Sequence, residues 1–303
     1  MKRMKVRGGI GRFCKLFGIS RQAWYEHEWR QKAVLVDEGK VVEIVLATRK
    51  ANRGLDKISA KVLYKIMKLE LIRNHVNMGR DKTFEVMRKY GLIAKRRRTR
   101  ARTTFSNVNL PLYPNLAENM NVTRPDQLWV ADITYIRIGD SFNYLSLITD
   151  AYSHRIMGYY LSETLETSGC LVALEMALAN RTNTDKELAH HSDRGFQYRS
   201  QDYIALLRKN GIESSMTQNG DPRENAIAER VNGLLKVEMG LADIIYASRE
   251  DAIEAVRAII RTYNEVRPHS SVDDLTPMQA HEKTGKLKIK WKRKEVLQNA
   301  TTV

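Results

Sequence analysis

The sequence predicts an α/β domain with a mixed five-stranded sheet and helices on both faces, preceded by small all-α modules. Three observations predict it. From about Asn121 the apolar pattern reads as strands alternating with helices, before that point it has a helical period, and the positive charge is concentrated in the helical part.

The elements follow in chain order. Gln127–Ile138, Tyr144–Asp150 and Arg155–Leu161 are rich in β-branched and aromatic residues and read as three strands, whose short connections make an antiparallel meander. Ser168–Asn180 reads as a helix, Glu187–His191 as a short strand, Gln201–Lys209 as a helix and Ile212–Met216 as a last strand. Two long helices follow, at about Pro222–Met239 and Arg249–Glu265. This order is that of a ribonuclease-H-like sheet.

Upstream, IGRFCKLFGISRQAWYEH at 10–27 reads as two short helices about a Gly18-Ile19 turn, with Ser20 capping the second. In a helix-turn-helix reading, Arg21, Gln22 and Tyr25 open the recognition helix and reach a DNA groove. A helical hairpin packed on its neighbour is the other reading. Ser59 can cap a helix whose apolar positions Ile58, Val62, Ile66 and Leu69 recur at helical spacing, and GRDKTFEVMRKYGLI gives another short helix ending at Gly91. The run KRRRTRAR at 95–102 carries six basic side chains and cannot bury a core. It reads as an extended linker whose Arg96, Arg97 and Arg98 lie on phosphates, or as a merely solvated one. The expected organisation is a helical region at 1–50 with the helix-turn-helix-like segment, a second helical DNA-binding module at 51–94, a basic linker at 95–120, the α/β catalytic core at 121–282 and a basic tail at 283–303.

The net charge of +16 is unevenly placed: residues 1–110 hold 28 Lys and Arg against 9 Asp and Glu, and the rest of the chain is slightly acidic. A concentrated cationic region is the footprint of a polyanion, because each phosphate neutralised by Lys or Arg releases condensed counterions. Nucleic acid fits best. No run approaches the roughly 18–20 apolar residues of a membrane span, and the basic start MKRMKVRGGIGRF has no apolar segment behind it. A cytoplasmic protein is expected. The two cysteines, Cys14 and Cys170, lack the spacing of a zinc site and exclude a disulfide framework.

Three segments carry the chemistry: WVADITYI around Asp132, HHSDRGFQY around Asp193 and DPRENAIAERVNGLLKVE around Glu229. Asp132 sits mid-strand among residues that belong in a sheet interior, where a carboxylate is costly without a cation or donors to compensate it. Asp193 follows a strand directly, where α/β folds display functional groups. Asp221, Pro222 and Glu224 read as a helix start, which gives Glu224 a capping role. At 100° per residue Asn225, Glu229, Asn232 and Lys236 then form one polar stripe, opposite Ile227, Val231, Leu234 and Leu235. Glu229 is the one carboxylate of that stripe and Lys236 is its candidate phosphate contact. Three carboxylates in one pocket raise one another's pKa unless cations neutralise them, and oxygen donors favour Mg²⁺, or Mn²⁺ in its place. Two ions about 4 Å apart would activate an attacking water or 3′-hydroxyl and stabilise the leaving oxygen. His190, His191 and Arg194 flank Asp193; one histidine can face the site, and His191 and Arg194 are the candidate DNA contacts.

These segments, with YNEVRPHSSVDDLTP at 263–277, resemble the second-frame transposases of bacterial insertion sequences of the IS-three family, whose core is similar to that of retroviral integrases. The resemblance implies an integrase core with Asp132, Asp193 and Glu229 as catalytic metal ligands, Mg²⁺ as cofactor, and Lys236 as the basic residue set against DNA. It also implies terminal inverted repeats and target DNA as substrates, a homo-oligomer on DNA associated with the nucleoid, and a copy-out route through a circular intermediate. Glu224-Asn225 stands where the family often has Asp-Asn. No heptad repeat of the upstream frame appears, so the chain resembles the downstream frame alone, with the upstream-frame protein as a fusion or partner. The expected function is Mg²⁺-dependent cleavage at the 3′ ends of the element followed by strand transfer. Its rivals are a sequence-specific DNA-binding regulator with a degenerate core and a ribonuclease-H-type nuclease.

Overall fold

The computed structural model describes residues 9–76, 78–94, 111–218 and 225–290. They divide into two compact units: Met1–Thr48 with Met67–Ile93, and Arg49–Ile66 with Ala94–Val303. The segment expected at 51–94 as one module is thus shared between them. The run 95–102, with Arg96, Arg97 and Arg98, lies outside the described residues.

In the first unit, α1 (Gly9–Leu16) leads through Gly18, whose φ is 64°, into α2 (Arg21–Ala51). Ser20 caps α2 by accepting from the Ala23 backbone N–H at 3.0 Å. The second helix of the expected short pair instead runs 31 residues. Trp29 is 75% exposed and Leu35 and Val36 more than half exposed, so no amphipathic pattern along this stretch announces the helix's length. Val41, Ile44 and Val45 of α2 are buried, as are Met67 and Leu71 of α3 (Ala60–Arg73) and Val86 and Met87 of α4 (Arg80–Lys89). Leu63, Met67 and Leu71 are the fully buried apolar residues of α3, while of the expected Ile58, Val62, Ile66 and Leu69 the first is buried, the next two are half-buried and Leu69 is exposed. Both sets have helical spacing, and spacing alone does not choose between them. Glu38 is buried and accepts from Lys89 Nζ at 2.6 Å and Tyr90 Oη at 3.2 Å, fixing α4 to α2.

The second unit holds a five-stranded sheet in the order β3-β2-β1-β4-β5. β1 (Leu128–Ile138), β2 (Ser141–Asp150) and β3 (Ile156–Ser162) are antiparallel, as the meander requires, and β4 (Leu188–Ser192) and β5 (Ile212–Met216) run parallel to β1. One face carries α5 (Thr167–Ala179), α6 (Phe196–Arg199) and α7 (Gln201–Lys209) over Trp129, Ala131, Ile148 and Met157. The other carries α8 (Ala226–Gly233), a π-helical turn Leu234–Glu238 and α9 (Arg249–Glu265) over Ile136, Leu145 and Leu147. Alternation along β1 sends even-numbered side chains to the α8 face and odd-numbered ones to the α5 face. Gly158 lets α5 sit against β3: a Cβ there would meet the Ala173 carbonyl oxygen at 2.0 Å.

Both edges of the sheet are occupied. Along β5, Met216 N–H donates to Pro114 O at 3.2 Å and Leu116 N–H to Ser215 Oγ at 2.9 Å, so residues 114–116 follow the strand. Along β3, Asn264 of α9 pairs with both the N–H and the carbonyl of Ile156 at 3.0 Å, and Arg249 donates to Leu161 O. A short α10 (Pro277–His281), started by a capping box at Thr276, brings His281 under the sheet. Among the described residues no helix is long and apolar enough to cross a membrane.

Candidate active site

Register brings the first two acids together. β1 and β4 pair in parallel through Leu128/Ala189, Trp129/His190 and Val130/His191, a register that, continued two residues past the last pair, leads Asp193 towards Asp132, where its charge is felt. Neighbouring strands lie about 4.8 Å apart. Asp132 points to the α8 face, where Oδ2 accepts from Asn232 Nδ2 at 2.6 Å and Oδ1 from its neighbour's N–H, that of Ile133, at 2.8 Å. Asp193 Oδ1 accepts from Gly195 N–H at 2.9 Å, and a Cβ on Gly195 would itself come within 2.9 Å of that oxygen. Glycine at 195 keeps the carboxylate's space open.

Glu229 comes from α8. That helix is held to β1 at two points: Asn225 Nδ2 donates to Ala131 O at 3.0 Å, and Asn232 holds Asp132. Glu229 lies between these amides on the same face of the helix, exposed at the rim of the site. Its charge is felt at Asp132. Burial, then the carboxylate of Asp193 and last that of Glu229 push the Asp132 carboxyl up to about 7, against the bonds from Asn232 and Ile133. Burial also raises Asp193. The charges of Asp193 and Glu229 thus both reach Asp132, although among the described residues no three acid, His or Cys side chains are grouped closely enough to hold a metal ion. Like charges oppose such closure until a cation is bound, and the oxygen-only donors match a hard ion.

Several expected contacts are placed differently. Of the helix expected from Pro222, the described part of α8 runs from Ala226, and the proposed caps Asp221, Pro222 and Glu224 lie outside the described residues. The polar stripe does not continue straight to Lys236, because a π-helical turn starts at Leu234, with Met239 N–H bonded to Leu234 O, and later positions drift out of phase. Lys236 is half-buried there. The expectation that Asn225 and His191 meet DNA does not match their burial: Asn225 is 7% exposed and serves β1, and His191 is 0% exposed with Nδ1 at 2.8 Å from Ser215 Oγ. His190 faces the other layer, bonded to Tyr203 Oη at 2.9 Å, and burial lowers its pKa to about 3, so it is neutral. Arg194 is half-buried, with Nε donating to Thr217 O at 2.8 Å. Of the α2 residues, Gln22 donates to Glu26 at 3.1 Å, Tyr25 is exposed and Arg21 folds back over Gly11.

Sequence reasoning missed Asn232 as the donor that orients Asp132, although it stood in the polar stripe. It also gave no role to the YNEVRPH segment. Tyr263 and Arg267 are buried, Asn264 binds β3, and Arg267 Nη2 donates to Glu238 Oε2 at 2.8 Å, so the segment ties α9 to the π-helical turn.

The sheet order and the acids beside it fit a polynucleotidyl transferase with an integrase core, and it is comparison with known proteins that shows this class. Two models described as integrase core domain match residues 122–222 and 210–277. The 31 kDa protein of insertion element IS600 from Shigella sonnei is 34% identical over 277 residues, covering 89% of this chain and 97% of that protein. The transposase InsF of insertion sequence IS3A from Escherichia coli is 32% identical over 288 residues, covering 90% and 94%. The chain belongs to the insertion-sequence transposases. Among solved structures, the HTLV-2 integrase catalytic core in complex with magnesium matches 52% of this chain and 97% of its own, at 21% identity and a TM-score of 0.40.

Proposed function

We propose that this transposase cuts the 3′ ends of its element and joins them to target DNA, with Asp132, Asp193 and Glu229 as the ligands of two Mg²⁺ ions. The observation that carries the reading is the β1/β4 register that leads Asp193 towards Asp132, with the charges of Asp193 and Glu229 both acting on Asp132. Bound Mg²⁺ would supply charge neutralisation and polarise the phosphodiester oxygens, with Mn²⁺ as a substitute. The chain's residues hold the geometry: Asn232 fixes one oxygen of Asp132, Gly195 fixes one of Asp193, and α8 presents Glu229 between its two amide anchors. In cleavage, a water oxygen bonds to phosphorus while the bond to the 3′ oxygen breaks, and that oxygen leaves with a proton. In joining, this 3′ oxygen bonds to a target phosphorus and displaces another 3′ oxygen, so the number of phosphodiesters is conserved.

The helical N-terminal unit is read as a DNA-binding module, the active form as a homo-oligomer that holds two DNA ends, and the upstream-frame protein as a fusion or partner. Purified protein incubated with Mg²⁺ and labelled terminal-repeat duplexes tests the core of this reading. Asp132→Asn, Asp193→Asn and Glu229→Gln are each expected to abolish cutting and joining while DNA binding persists. A Glu229→Gln protein that cuts at the normal rate would remove that acid from the site.

A further inference from the structure

We propose that the cleft between α1 and the start of α2 is a phosphate clamp for the DNA backbone, made by Arg12, Lys15 and Arg21, so that Arg21 anchors the duplex and does not read bases. The inference rests on the reading of the helical unit as a DNA-binding module.

Residues 9–25 contain no Asp or Glu and three cations, Arg12, Lys15 and Arg21. All three line one open cleft, together with Gly9, Gly11 and Tyr25. On the apolar side of the helix pair Phe13 meets Phe17 in a tilted contact and Trp24 edge to face, at 4.6 and 5.1 Å between ring centroids, and Cys14 is buried. The pair is thus two-sided, with an aromatic side that holds it together and a cationic side with no acid of its own to neutralise it. Three such charges converge at a cost in repulsion, which a bound anion relieves.

Gly11 shows that Arg21 is placed. A Cβ at position 11 would lie 2.2 Å from Arg21 Nη2 and 2.9 Å from Cζ, so the guanidinium lies against the backbone of α1 at Gly11, and a side chain there would push it aside. From there it joins Arg12 and Lys15 and does not project from α2 towards base edges. A planar guanidinium suits two phosphate oxygens at once. Phosphate contacts fix register without carrying sequence information.

The test uses the full chain and two duplexes, one carrying a terminal repeat and one of random sequence, over a series of salt concentrations. Arg12→Ala, Lys15→Ala and Arg21→Ala are each expected to weaken binding to both duplexes by the same factor, about three- to tenfold, and to reduce the slope of log K against log salt by about 0.9. Gly11→Ala favours the helix and removes no charge, yet it should weaken both duplexes by displacing the guanidinium. Arg30→Ala, exposed on the same helix beyond the cleft, should change little. An Arg21→Ala protein that loses the preference for the terminal repeat, or Gly11→Ala binding as wild type, overturns the clamp. If the wild-type chain binds neither duplex, the DNA-binding reading of the helical unit falls, and the clamp with it.

Discussion

Two pairs of aspartates stand on the same sheet, and they are treated in opposite ways. Asp126 and Asp150, at the start of β1 and the end of β2, are both 0% exposed. Asp126 accepts from Trp129 Nε1 at 3.1 Å, from the N–H groups of Thr182 and Asn183 at 3.0 and 3.1 Å, and from the Thr182 hydroxyl. Asp150 accepts from the Asp126 N–H at 2.8 Å and from both donors of Ser153, with His281 close to both acids. Although burial pushes it up, these donors hold Asp126 below the usual carboxylate range. Asp132 and Asp193, a few residues further along, have fewer donors and one another for company, and both are raised. A carboxylate saturated with donors is part of the architecture; one left short of them and set beside another acid is prepared for a cation.

The largest expected difference between the pairs is in chemistry. Asp132→Asn should lower strand transfer by about a thousandfold or more, through loss of several kcal/mol of charge stabilisation, and melting of the protein should show that it remains folded. Asp126→Asn should act on the fold, because its amide would face the N–H donors of Thr182 and Asn183; a loss of about 3 kcal/mol is expected, read as a lower denaturation midpoint. Asn232→Ala, which releases Asp132 without removing an acid, should weaken Mg²⁺ binding by about ten- to a hundredfold, measured as the Mg²⁺ concentration giving half-maximal activity. The smallest effect concerns pH. A raised carboxyl destabilises the folded chain once it must ionise, so Asp132→Asn should begin to stabilise metal-free protein as pH rises above the usual value of 3.8, with the full gain of a few degrees in Tm above about 7. Asp126 has the opposite sign, giving stability above its usual pKa that is lost as pH falls through its lowered one. A flat Asp132→Asn difference from pH 4 to 8 would show that the two pairs are electrostatically alike.

Much of this was legible before the fold was seen. α7, β5 and α9 lie at their expected bounds, and the other strands differ by a residue or so, apart from the start of β2 at Ser141, because Gly139 with φ 54° turns the chain sooner. Asp132 and Asp193 stood out because acids at those places in apolar strands need a reason. What was not legible depends on partners far away in the chain. The π-helical turn at Leu234 has no signature in its own residues, and the burial of His191 and Asn225 follows from Ser215 and Ala131, 24 and 94 residues away. The length of α2 was hidden by Trp29, Leu35 and Val36, which face solvent where periodicity expects polar residues.

The covering of β5 by residues 114–116 and of β3 by Asn264 and Arg249 has a consequence for assembly. Unpaired strand borders invite a neighbouring chain to extend the sheet, and here backbone groups of Met216, Ile156 and Leu161 that would face it are already engaged. An incoming strand would have to displace these partners first, which favours helices, loops or the nucleic acid itself as the meeting places of copies gathered on two DNA ends.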